Sequence, residues 1–186
     1  MDITRLTTVD ADFSESLNRL LQREVSTGDT VFSVVMSILN AVREEGDAAL
    51  LRYTERFDRL SLTHARQLWV PPAQRARALS GIAYDVRTAL EQAADRIRAY
   101  HQHQVQADWS FQDEWGNTLM QRYTPMDRVG LYVPGGLASY PSSVLMNAIP
   151  AQVAGVSELI MVVPAPDGKL NDLVLAAAEL AGVDHV

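Results

Sequence analysis

The chain has 186 residues, of which 47% are hydrophobic and 21% charged, with a formal net charge of −7 at pH 7 and no cysteine. This length and composition are typical of a soluble globular protein with a buried core, in one large domain or two small ones. The acidic balance argues against nucleic-acid binding, because phosphate contacts need clustered Lys and Arg. Without cysteine the chain can hold neither a disulfide framework nor a thiolate zinc site.

The N-terminus, MDITRLTTVDADF, lacks the apolar stretch of a secretory signal. No apolar run reaches the roughly 18–20 residues that a membrane span needs. We therefore expect a cytoplasmic protein without a membrane partner.

The first hundred residues have helical periodicity. A short apolar stripe at residues 13–21 predicts one helix, and a longer stripe at residues 31–42 predicts a second. Asp29 is placed to be the N-cap of the second helix, and Gly46 is placed to end it. Asp47 can then begin a further helix.

Two prolines at residues 71 and 72 predict the start of the longest helix, which continues to Tyr100. The segment WSFQDEWGNTLMQRYTP then predicts a small β-hairpin that turns at residues 115–117.

Strands and helices alternate in the last third of the chain. We predict strands at 128–133 and 158–163, helices at 141–153 and 170–181, and the beginning of a strand at 184–186. Short connections between alternating elements indicate a parallel sheet with right-handed crossovers. The predicted fold class is therefore α/β: a helical region with a small hairpin, then a βαβαβ unit whose parallel sheet looks incomplete.

Gly135 and Gly136 lie between the first predicted strand and the helix after it, where open α/β sheets bind ligands. The N–H groups at the helix start, near Pro141, could face an anion together with three serines, Ser139, Ser142 and Ser143. The segment matches neither G-x-G-x-x-G nor a Walker A loop, so a tight turn without a ligand remains an equal alternative.

The helix after this turn is apolar nearly all round, so we expect it to be buried, with Pro150 kinking or restarting it. Asn147 is then a hydrogen-bonded core amide, the interpretation we favour, or a ligand contact. His101 and His103 cannot chelate a metal together, because two residues along a helix point roughly 200° apart. His64 and His185 are isolated in the sequence.

Three separated blocks carry a resemblance to a known family. VGLYVPGG followed by YPSSVLMNAIPAQVAGV resembles the histidinol dehydrogenase family, as do VREEGDAALLRYTERFD and the aromatic-His-x-x-Gln element at residues 100–104. The blocks stand in the family's order and cover essentially the whole chain. Leu137 departs from the family's commoner Gly-Gly-Thr-Ala-x-Tyr.

The resemblance implies an NAD- and zinc-dependent enzyme that oxidises L-histidinol through histidinal to L-histidine. The family's zinc ligands and its Glu-His acid–base pair follow a Gly-Gly-Ala-Gln motif that we expect beyond Val186. The resemblance therefore places no catalytic and no metal residue in this chain, which we expect to be inactive alone. It does imply NAD contacts by Tyr132 and, less directly, by Gly135 and Gly136; the alternative for Tyr132 is a strand side chain half-buried under the next helix.

The family's architecture implies Rossmann-like globules and a homodimer. Residues 1–24 would form an N-terminal helical tail that resembles the family's dimer-wrapping arm. Residues 25–128 would begin the first globule, and residues 129–186 would form the first half of the second. The alternative function is that of a short non-catalytic relative that acts as a binding or dimerisation module. The lack of a G-x-S-x-G elbow argues against a third interpretation, an α/β hydrolase.

Overall fold

The computed structural model describes residues 5–134 and 140–186, leaving out the side chains of residues 22–30. The elements in chain order are α1 (Phe13–Glu45), α2 (Asp47–Asp58), α3 (Pro72–Gly81), α4 (Tyr84–Gln102), β1 (Trp109–Gln112), β2 (Thr118–Gln121), β3 (Arg128–Tyr132), α5 (Pro141–Val153), β4 (Glu158–Val162) and α6 (Asp172–Leu180), with short 3₁₀ turns at Ala65–Leu68 and Pro166–Gly168. This order confirms the predicted α/β class. Within the described residues, no helix has both the length and the apolar character needed to cross a membrane.

The backbone contacts divide the chain into two compact units, Met1–Tyr53 and Thr54–Val186. The division at residues 24 and 128 that the family resemblance implies stays a prediction.

The first unit is built on one long helix. The prediction of two helices separated by an N-cap at Asp29 is wrong, because α1 runs without a break for 33 residues. The segment between the two apolar stripes contains no proline, and its single glycine costs a helix only about 1 kcal/mol. Gly46 ends α1 as predicted: its φ is +59°, and its N–H donates to the carbonyl of Val42 at 2.9 Å.

The predicted long helix from residue 72 to residue 100 is in fact two helices, α3 and α4. Ile82 and Ala83 are extended between them, with ψ of 154° and 145°. The break follows Ser80 and Gly81, and the Ser80 hydroxyl donates to the carbonyl of Arg77 at 3.0 Å. Serine and glycine are both weak helix formers, the first because its side chain competes for backbone hydrogen bonds, so the helix stops there.

The predicted hairpin is confirmed. Strands β1 and β2 are antiparallel, with Trp109 opposite Gln121 and Phe111 opposite Leu119. Gly116 in the turn has a φ of +83°, which glycine adopts without a steric cost. The turn is closed by Asp113, whose carboxylate accepts hydrogen bonds from the N–H groups of residues 115 and 117 at 3.0 and 2.8 Å.

The last third of the chain forms the predicted parallel sheet. Strands β3 and β4 are parallel, with Arg128 opposite Glu158 and Tyr132 opposite Val162. His185 forms a single parallel bridge with Ile160 of β4, at the position predicted for the start of a third strand: its N–H donates to the carbonyl of Leu159 at 3.1 Å, and its carbonyl accepts from the N–H of Met161 at 2.8 Å.

The core lies on one face of this sheet. Side chains alternate between the two faces of a strand, and the buried set in β3 and β4 contains Leu131, Leu159 and Met161. Helices α4, α5 and α6 cover this face with further buried apolar side chains, including Ala94, Val144, Leu145, Ala148, Ile149, Val174, Ala177 and Ala178.

Helix α5 is not buried all round, so that prediction is wrong. Positions 144, 145, 148 and 149 form one buried stripe, whereas Met146 is 63% exposed. Asn147 is exposed too, and its amide donates to the carbonyl of Ser143 at 2.7 Å, so it is not a core amide. The helix runs through Pro150 without a restart.

One buried cation joins α3 to the start of the third strand. Arg75 is 94% buried, and its guanidinium donates to the carbonyls of Val183 and, at 3.3 Å, of Asp184. Its Nε lies 3.6 Å from a carboxylate oxygen of Glu179 on α6 and has no hydrogen-bond partner within the described part of the chain. Burying a charge is costly unless it is paired and hydrogen-bonded, so these contacts make Arg75 a structural requirement of the region.

We therefore expect Arg75→Ala to lower the free energy of unfolding by about 2–4 kcal/mol, because the substitution leaves the Val183 carbonyl and the Glu179 carboxylate without their partner. Urea titration followed by circular dichroism measures the change. Arg77→Ala, an exposed site on the same helix, is the control and should change stability little. Equal losses in the two variants would contradict this role for Arg75.

The hairpin turn should depend on pH through Asp113. Hydrogen bonds from the Asn117 side-chain amide, and from the backbone N–H groups of residues 115–117, hold the pKa of Asp113 below its ordinary value. A carboxyl whose folded pKa is lowered contributes its stability in full above the unfolded pKa, about 3.9, and loses it as pH falls through the folded pKa. The protection factor of the Trp115 amide, which compares its exchange rate with the intrinsic rate at the same pH, should fall over that acidic range, and in Asp113→Asn this pH dependence should disappear. An unchanged fall of the protection factor in the variant would rule out Asp113 as the titrating group.

Candidate functional site at the carboxyl end of the sheet

Tyr132 is the last residue of β3 and lies at the carboxyl end of the parallel sheet. Its neighbours in the strand, Leu131 and Val133, are buried, so the alternation of the strand directs Tyr132 to the opposite face, where it is 64% exposed. Val162, its partner across β4, is 58% exposed on the same face. Tyr132 is therefore not half-buried under α5, and its ring is accessible to a ligand.

Gly135 and Gly136, the other two residues that the sequence marks for the cofactor, lie outside the described residues, as does Ser139. Their part in the site stays a prediction.

The start of α5 lies next along the chain. Pro141 occupies the first turn as predicted, and Tyr140 is the N-cap residue without a side-chain hydrogen bond to the helix. The N–H of Ser143 donates to the Tyr140 carbonyl at 3.0 Å, and Ser142 is exposed. The first turn contains no acidic residue, so the positive end of the helix dipole has no carboxylate of its own there.

The turn after β4 faces the same end of the sheet, since β3 and β4 are parallel and end side by side. Asp167 in this turn forms a two-pronged ion pair with Arg59: Nε lies 2.7 Å from Oδ1, and Nη2 lies 2.9 Å from Oδ2. The hydrogen bonds from Arg59 lower the pKa of the Asp167 carboxyl, and Asp167 in turn raises the pKa of Arg59. The pair joins the segment after α2 to the rim of the sheet's carboxyl end.

Sequence reasoning did not find this pair. Pro166, Asp167 and Gly168 form a typical turn sequence, which is the only local signal. Arg59 lies 108 residues away in the chain, and nothing in its neighbourhood indicates a partner.

The resemblance implies a zinc ion whose ligands we expect beyond Val186. In the described part of the chain, no three His, Asp or Glu side chains lie close enough together to hold a metal ion. His101 is in the last turn of α4 and hydrogen-bonds to Gln104, while His103 caps that helix. His185 lies 3.5 Å from the Glu158 carboxylate on the sheet.

Comparisons with known proteins all lead to one family. The family model described as histidinol dehydrogenase matches residues 21–186. The chain is 53% identical over 184 residues to the histidinol dehydrogenase of Pseudomonas syringae pv. syringae, an alignment that covers 99% of this chain and 41% of the relative. It is 50% identical over 186 residues to that of Hydrogenovibrio crunogenus, covering 100% of this chain and 43% of the relative.

A solved structure agrees. The crystal structure of histidinol dehydrogenase from Elizabethkingia anophelis matches with a TM-score of 0.75 at 28% identity, over 82% of this chain and 35% of that one. The chain thus spans about two fifths of the length of these curated relatives, 41% and 43%, as expected for a match to part of the family's polypeptide. Since the family model covers all but the first 20 residues, and sequence and fold both agree with it, the chain belongs to the histidinol dehydrogenase family.

Proposed function

We propose that this chain forms one side of the NAD site of an enzyme that oxidises L-histidinol to L-histidine through histidinal. In each of the two oxidations NAD⁺ accepts a hydride from the substrate carbon, and protons are released to solvent. The first oxidation takes its proton from the alcohol, and the second requires a water molecule that adds to the aldehyde and supplies the second carboxylate oxygen, so two NAD⁺ and one water are consumed. The contribution of this chain is to bind and orient the cofactor, and the chain alone is inactive.

The exposed ring of Tyr132 carries the proposal. An aromatic ring can pack against a nucleotide while its hydroxyl bonds to a polar edge, and ligands of parallel α/β sheets bind at the carboxyl ends of the strands. Tyr132 is at that end of the sheet, and its side chain is exposed and not packed in the core. The adjacent start of α5 favours an anion such as a pyrophosphate, because its first turn contains no carboxylate.

Zinc, which family membership suggests, would have to take its ligands from outside the described residues, because these contain no suitable cluster. We therefore assign no step of the reaction to zinc in this chain. The expected cytoplasmic location also stays a prediction.

A test of the proposal is NAD binding by the 186-residue chain, measured by isothermal titration calorimetry. We expect NAD to bind. Tyr132→Ala should raise the dissociation constant of NAD about tenfold, since stacking on an aromatic ring contributes about 1–3 kcal/mol per base. Tyr132→Phe should lose less affinity for NAD than Tyr132→Ala, because phenylalanine keeps the aromatic ring.

The matched control is Tyr84→Ala, the first residue of α4, a tyrosine that is 85% exposed and belongs to none of β3, α5 and the turn after β4. It should bind NAD as tightly as the unaltered chain. Failure of the unaltered chain to bind NAD, or equal binding by Tyr132→Ala, would refute the proposal.

Exposed apolar side chains on α1 favour a second, compatible function, self-association as a homodimer. Val31, Val35 and Leu39 recur at every fourth position, and 45–55% of each is exposed. Phe32 beside them is 67% exposed. A helix with a continuous exposed apolar stripe is a typical docking surface for a partner helix, here a second copy of the chain.

We expect the chain to form a dimer whose proportion rises with concentration, and Val35→Glu with Leu39→Glu to make it monomeric by placing charges in the apolar stripe. Light scattering coupled to size-exclusion chromatography measures the mass. Asn40→Glu, an exposed polar position on α1, is the control and should remain dimeric. A monomer at all concentrations, or a dimer that persists in the double variant, would contradict dimerisation through α1.

A further inference from the structure

The described residues other than glycine include only two with a left-handed backbone, and these two are partners. Arg59 has a φ of +55°, and Asp167 has a φ of +57°. An L residue seldom adopts this conformation, which costs free energy and persists only where the surroundings hold it. Here the two residues are joined to each other by the two-pronged ion pair.

A contact beside the ion pair couples the same two segments. Gly168, directly after Asp167, has a φ of +71°, and a Cβ built on it would lie 3.2 Å from Cδ1 of Leu60. The half-buried Leu60 side chain therefore lies against a backbone position with no side chain of its own. The residue after each strained residue thus takes part in joining the two turns.

The turn held in this way is at the carboxyl end of β4. It starts directly after Val162, whose carbonyl accepts a hydrogen bond from the N–H of Val133 at 3.0 Å. The turn and the residues that follow Tyr132 are therefore on the same rim of the sheet.

We propose that the ion pair of Arg59 with Asp167 acts as a latch, which fixes the turn at residues 163–169. The latch also positions the rim of the NAD site, an inference that rests on the function proposed above. The two residues are positioning residues and need not touch the cofactor. Opening the latch releases strain at both residues, so the turn is expected to move once the ion pair is lost.

Hydrogen exchange in Asp167→Asn tests the latch directly. Asparagine tolerates the left-handed conformation, so the substitution removes the charge and leaves the backbone allowed. The N–H groups of Gly168 and Lys169 donate to Ala165 and Pro166 at 2.8 and 3.1 Å and report on the turn. We expect their exchange to become about three- to fivefold faster, the size of effect of an exposed ion pair, and the dissociation constant of NAD to rise by a similar factor.

The charge-reversed double variant Arg59→Asp with Asp167→Arg should restore slow exchange and NAD affinity, because the two positions have nearly the same φ, +55° and +57°. Arg87→Gln, which breaks the exposed pair of Arg87 with Glu91 inside α4, is the control and should leave the turn unchanged.

Unchanged exchange in Asp167→Asn, or no recovery in the double variant, would overturn the latch. Faster exchange with unchanged NAD affinity would overturn its positioning role and leave the proposed NAD site intact. Absence of NAD binding by the unaltered chain would instead refute the proposed function, and the exchange rates would still decide whether the latch exists.

Discussion

Burial of Leu131 and Val133 in the core under helices α4, α5 and α6 is the constraint on which the rest of the second unit depends. Because side chains alternate along a strand, burying these two residues directs Tyr132 to the opposite face. A shift of one residue in the pairing of β3 with β4 would exchange the two faces, placing Tyr132 in the core and leaving Leu131 exposed. The accessibility of the tyrosine is thus a consequence of the packing, and the same apolar layer that stabilises the sheet presents the candidate cofactor contact.

The carboxyl end of the sheet brings together features that come from distant parts of the chain. The exposed ring at the end of β3, the start of α5 and the turn after β4 all lie on one rim. Arg59, from the segment after α2, reaches this rim through Asp167, and Arg75 on α3 holds the start of the third strand through the carbonyls of Val183 and Asp184. The part of the chain before the sheet therefore also holds backbone segments at the sheet's edges. Arg59 holds the turn after β4, and Arg75 holds residues 183 and 184.

Much of this fold follows from sequence patterns, and the failures have physical reasons. The alternation of strands and helices after residue 128 predicts the sheet because short βαβ connections leave few alternatives. The break after Gly81 and the continuity of α1 were missed because weak helix formers either end a helix or are tolerated in it, depending on tertiary packing. The exposure of Asn147 was missed because an almost entirely apolar helix does not reveal which stripe it buries. Tyr132 came from the family motif, whereas the partnership of Arg59 with Asp167 spans 108 residues and leaves no periodic signal.

The central claim is that the carboxyl end of this sheet is one side of an NAD site. The most direct measurement is a titration of the ¹⁵N-labelled chain with NAD, followed by amide chemical shifts in two-dimensional NMR spectra. The account predicts that the amide chemical shifts change at residues 131–134 and 163–169, while those of the hairpin turn at residues 113–117 do not change. Changes centred on the hairpin or on α1, with the sheet's carboxyl end unaffected, would contradict the claim.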